Sequence, residues 1–73
     1  MARETVEAPL TGKILSVAFK VGDRVNEGDE ICILESMKME NPILAPVSGT
    51  IVEVGVTVDK VVKPGEIIAV IES

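Results

Sequence analysis

The sequence has no histidine, tryptophan or tyrosine, one phenylalanine (Phe19) and one cysteine (Cys32). Without imidazole, the commonest general base and metal ligand is missing. A single thiol neither staples the chain internally nor ligates a metal cluster. There is no aromatic set on which bases could stack. Seven basic residues face twelve acidic ones, for a net charge of −5, so no basic surface is expected for a nucleic-acid backbone. The longest apolar run is the stretch 67–71, far short of the roughly 18 residues of a spanning helix, and membrane insertion is not expected. Met1-Ala2-Arg3-Glu4 is not followed by an apolar stretch and does not read as a secretory signal.

The chain is rich in β-branched residues. Twelve Val, eight Ile and four Thr make 24 of its 73 residues. Their stiff side chains sit better on a pleated surface than on a helix. At this length the chain is one small domain, and no segment shows sustained helical periodicity.

Displaced by 37 positions, the chain aligns with itself without a gap. Residues 8–36 read APLTGKILSVAFKVGDRVNEGDEICILES, and residues 45–73 read APVSGTIVEVGVTVDKVVKPGEIIAVIES. Eleven of the 29 pairs are identical, among them Pro9/Pro46, Gly12/Gly49, Ile14/Ile51 and Gly28/Gly65. A chance match of β-rich sequence would not bring glycines and prolines into register. Two copies are too few for a solenoid and suggest two similar β-units about a pseudo-two-fold axis.

Each half opens with an Ala-Pro turn and continues as a strand, 12–19 and 49–56. Leu15, Val17 and Phe19 alternate there, as do Val52, Val54 and Val56, the period of a half-buried strand. A polar stretch follows, with Gly22 and Gly28 as sites for positive φ. Asp59 stands where the first copy has Gly22, and Asp tolerates that conformation better than most residues. Each half then closes with an apolar run. Cys32 lies in the first of these and reads as a buried, inert thiol. A free thiol also fits a reducing compartment, so a cytoplasmic location is expected.

Residues 37–42 join the halves. Residues 30–36 and 40–44 are strand candidates, so the chain must reverse within the few residues between them, with Lys38 at or beside the tip of a hairpin. No Asn-Gly or Asp-Gly marks the turn; a lysine stands between two methionines. Met37 and Met39 are either core residues or an exposed, adaptable surface, and hairpin tips are rarely core. Most lysines are merely solvated, but Lys38 sits at the junction of the repeats. Glu35 and Glu40 flank the tip; they are either simply solvated or a complement to a partner's charge.

The run Leu34-Glu35-Ser36-Met37-Lys38-Met39-Glu40-Asn41 resembles the Glu-Ala-Met-Lys-Met-Glu signature of biotin carboxyl carrier domains. The resemblance extends to Ala8-Pro9…Gly12, Val21-Gly22-Asp23…Val25…Gly28-Asp29 and Ala45-Pro46…Gly49, nearly the whole chain. It implies an all-β fold, a flattened β-barrel of two four-stranded antiparallel sheets with a pseudo-two-fold repeat. The domain would span 1–73, with half-repeats 6–36 and 43–73.

The resemblance also implies that a biotin protein ligase joins biotin to Lys38 by an amide bond, with Met37 and Met39 as flanking recognition residues and Glu35 and Glu40 as candidate contacts for the ligase. The biotin would shuttle a carboxyl group between a biotin carboxylase and a carboxyltransferase or decarboxylase, the chain itself being a carrier rather than an enzyme. Ser36 departs from the signature, where alanine is commoner. The gap-free repeat leaves no room for the inserted “thumb” of some bacterial carriers. Only seven residues precede Ala8, as in a short free-standing carrier or a domain cut from a longer chain. A lipoyl carrier would share the fold, but usually has Asp-Lys-Ala at the tip, and Met37 and Met39 favour biotin. An unmodified structural β-module would not need such a tip.

Overall fold

A computed structural model describes residues 2–73. It contains eight strands: β1 (Arg3–Glu7), β2 (Gly12–Val17), β3 (Arg24–Val25), β4 (Glu30–Ser36), β5 (Met39–Leu44), β6 (Gly49–Val54), β7 (Val61–Val62) and β8 (Ile67–Glu72). They form two antiparallel four-stranded sheets, ordered β1-β8-β6-β3 and β5-β4-β2-β7. Adding 37 to the residues of one half exchanges the sheets strand for strand, the all-β fold with the internal pseudo-two-fold relation expected from the repeat.

The symmetry reaches individual pairs. Ile14 pairs with Leu34 and Ile51 with Ile71; Val17 pairs with Cys32 and Val54 with Ala69. Even the irregularities repeat. The register slips between Ile14 and Ser16 and between Ile51 and Glu53, making Leu15 and Val52 the extra residues of two matching bulges.

The expected alternation holds, with Leu15, Val17 and Phe19, and Val52 and Val54, half-buried between exposed residues and Val56 buried. The bulges add Ile14 and Ile51 to the inward face, where both are almost fully buried, while Val17, Phe19 and Val54 pack against the core. β2 and β6 also end two residues sooner than expected, at Val17 and Val54. Beyond them the chain turns away to reach β3 and β7, whose two residues each had no sequence signal of their own.

The core is filled by symmetric pairs: Ile14 with Ile51, Leu34 with Ile71, Val25 with Val62, Ile31 with Ile68 and Cys32 with Ala69, none more than 2% exposed. Burying an aliphatic side chain of this size contributes about 1.5–3 kcal/mol. Gly12 and Gly49 let β2 approach β4, and β6 approach β8, closely. A Cβ on Gly49 would come within 2.5 Å of the Glu72 carbonyl oxygen, and one on Gly12 would overlap that of Glu35. Asp59 has a φ of 76°, matching the 97° of Gly22.

Candidate functional site

The segment joining the halves is shorter than the expected 37–42. Residues 39–42 belong to β5, and only Met37 and Lys38 lie outside the ladder. Ser36 pairs with Met39, Glu35 with Glu40 and Leu34 with Asn41. Met37 and Lys38 have φ of 52° and 66°. Positive φ at both central residues defines the type I′ turn, whose twist matches that of the strands it joins. Asn and Gly are preferred there because the left-handed conformation costs other L-residues roughly 1–2 kcal/mol each. The lysine thus sits on a strained turn held by the ladder on either side.

The turn projects from one end of the molecule, whose long axis measures 36 Å. From the turn the chain runs the length of β5. It then crosses through Ala45, whose N–H donates to the Asp29 carbonyl, to Gly49, packed against Glu72. At that far end the Ser73 N–H donates to the Ala2 carbonyl. Lys38 and the Ala2–Ser73 contact therefore occupy opposite ends, the positions the pseudo-two-fold interchanges.

All five residues singled out in the sequence meet at this tip, and all five are exposed. Met37 is 92% exposed and Met39 68%, which excludes the core reading for both. Among the described residues Lys38 forms no ion pair, in contrast to Lys13, which lies 3.4 Å from Asp59. Lys13 is the cross-strand neighbour of Glu35 on β2, but its amine is directed to Asp59 instead. Glu35 and Glu40 stay without an ion-pair partner among the described residues.

Asn41 was not singled out as a site residue in the sequence. Its Nδ2 donates to the Met39 carbonyl (3.2 Å) and the Leu34 carbonyl (3.4 Å) behind the turn. Its place inside the signature was the one available signal. Cys32 is 1% exposed, and burial pushes its thiol up to about 11. It takes no part in the tip.

The tip fits a covalently tethered group. Its amine is in no ion pair among the described residues, and the turn that carries it is closed by a β-ladder with a methionine on either side of the lysine. Such a site presents a long prosthetic arm without enclosing it.

Comparison with known proteins agrees. The family model described as “Biotin-requiring enzyme” matches residues 4–71. The gamma subunit of methylmalonyl-CoA decarboxylase from Veillonella parvula is 57% identical over 42 residues, 58% of this chain and 33% of that protein. The gamma subunit of glutaconyl-CoA decarboxylase from Acidaminococcus fermentans is 60% identical over 40 residues, 55% of this chain and 28% of its own length. The chain thus aligns with a third or less of these relatives. Among solved structures, Kluyveromyces lactis urea carboxylase superimposes with a TM-score of 0.89 at 30% identity, over 99% of this chain and 6% of that one. The chain belongs to the biotin-requiring enzyme family, as a carrier domain for covalently attached biotin.

Proposed function

We propose that Lys38 is the attachment point and that residues 1–73 work as one biotinyl domain in the cytoplasm. A biotin protein ligase loads the lysine, and the domain serves a biotin carboxylase and a carboxyltransferase or decarboxylase. One observation carries the assignment: Lys38, exposed and in no ion pair among the described residues, stands in a two-residue turn between two exposed methionines.

The neutral amine is the nucleophile that forms the amide bond, so the lysine must reach an activated acyl group and lose a proton. An exposed turn gives that access, and the rigid ladder beneath it presents the amine in one direction. Once attached, biotin supplies a ureido nitrogen that accepts and releases a carboxyl group. The lysyl stem then acts as a tether that raises the effective concentration of this group at each partner site. Met37 and Met39 offer soft, adaptable surface to more than one partner cleft. The Glu35 and Glu40 carboxylates attract a basic patch on the ligase. Decarboxylase gamma subunits among the relatives support a place in a carboxylating or decarboxylating complex.

The test is modification in vitro with a biotin protein ligase, biotin and ATP. The intact mass gains one biotinyl group, peptide mapping places it on Lys38, and Lys38→Arg abolishes the gain. Biotin on Lys13, Lys20, Lys60 or Lys63 instead overturns the assignment.

A further inference from the structure

We propose that Asn41 is a positioning residue for the modification of Lys38: its carboxamide ties together the two strands behind the turn and fixes the direction in which the lysine is presented. The inference rests on Lys38 being the residue that is modified.

Asn41 lies on the same side of β5 as buried Ile43 and is itself half-buried. Its Nδ2 reaches the carbonyl of Met39 on its own strand and that of Leu34 on β4. Those carbonyls belong to the pairs on either side of Glu35 and Glu40. In a two-residue hairpin the closing pair, Ser36 and Met39, is hydrogen-bonded, and bonded and non-bonded pairs alternate behind it. Glu35 and Glu40 therefore form the non-bonded pair, and the ladder has no hydrogen bond at their level. A carbonyl has two lone pairs and the ladder uses one, so the carboxamide adds its bonds without displacing a strand.

Three independent features point to the turn as what this bridge serves. Met37 and Lys38 are both held at positive φ, a conformation that persists only where the surroundings impose it. The adjacent glutamates repel each other across the same two strands. Finally, the pseudo-two-fold supplies an internal control. The position equivalent to Asn41 is Glu4, opposite Ile71 as Asn41 is opposite Leu34. A glutamate carboxylate has no proton to donate to a carbonyl, and no turn joins the strands at that end. The barrel thus forms without such a bridge, and the donor occurs only where a lysine must be aimed.

The test compares wild type with Asn41→Asp, which replaces the donor by an acceptor of the same shape, and with Asn41→Ala. A biotin protein ligase with biotin and ATP supplies the reaction, and kcat and KM for the carrier are measured separately. Thermal unfolding and the backbone heteronuclear NOE at Met37 and Lys38 are recorded on each unmodified protein. Misplacing a reacting atom by about 1 Å can cost about a hundredfold in rate, and we expect kcat/KM to fall by about tenfold or more in both variants. The NOE should fall at Met37 and Lys38 and stay unchanged at Ile14 and Ile71. Unchanged kcat/KM overturns the proposal. So does a loss of rate with unchanged NOE at the turn, which makes Asn41 a direct ligase contact. Failure of both variants to fold also overturns it, by making Asn41 a residue of the fold. Failure of wild type to be modified at Lys38 shows in the wild-type arm alone and counts against the carrier assignment instead.

Discussion

Glu35 and Glu40 stand directly opposite each other across β4 and β5, one pair behind the Lys38 turn. Their equivalents in the other sheet, Glu72 and Arg3, form an ion pair at 3.0 Å. The fold therefore accommodates an attractive pair at this level of the ladder, and at the tip it has a repulsive one. Two carboxylates beside Lys38, neither with an ion-pair partner among the described residues, suit a surface that a basic partner approaches.

Glu40→Arg, which copies Arg3, should consequently stabilise the unmodified domain. Cross-strand charge pairs contribute about 0.2–1 kcal/mol, and a gain near 0.5 kcal/mol is expected. In a domain of this size that is a rise in Tm of about 2–4 °C. Both carboxylates are exposed, so most of the gain should vanish at 1 M NaCl, where screening acts within about 3 Å. Thermal melts at low and high salt decide the matter. No gain at low salt, or a gain that survives at 1 M, would show that the two glutamates do not interact.

The turn itself should be improvable at the expense of function. Met37→Asn combined with Lys38→Gly supplies the residues that a type I′ turn favours. Removing left-handed strain worth roughly 1–2 kcal/mol per residue, less the added flexibility of glycine in the unfolded chain, leaves an expected gain of about 1 kcal/mol. Urea unfolding measures it, and the variant cannot be modified at position 38. A destabilised double variant would mean that Met37 or Lys38 makes contacts that outweigh the strain.

Cys32 gives the domain an alkaline sensitivity of defined sign. Its thiol ionises near 9 when unburied and at about 11 in the fold, because burial disfavours the thiolate. Between those values the folded state holds a proton that the unfolded state has released. The contribution of Cys32 to stability is thus complete below about pH 9 and is lost as pH rises towards 11. Cys32→Ala is the control, since Ala69 occupies the equivalent core position. The urea midpoint of wild type should fall more steeply than that of Cys32→Ala between pH 9 and 10.5. Parallel curves would refute the assignment.

The 37-residue repeat already contains most of the topology. Once Ile14 matches Ile51 and Leu34 matches Ile71, pairing one half dictates the other. Gly22, Asp59 and the methionine-flanked lysine were legible because each is a local backbone or composition signal. The bulges at Leu15 and Val52 were not, because a bulge is a mismatch between two strands and alternation along one strand cannot register it. The turn at Met37–Lys38 was hidden for a related reason. Local preference asks for Asn-Gly there, and the left-handed conformation is imposed by the ladder that closes on both sides. The opposition of Glu35 to Glu40 depends on the register that this turn sets. So does the reach of Asn41 to two carbonyls seven and two residues away. Such contacts lie between strands, and they exist only after the strands have paired.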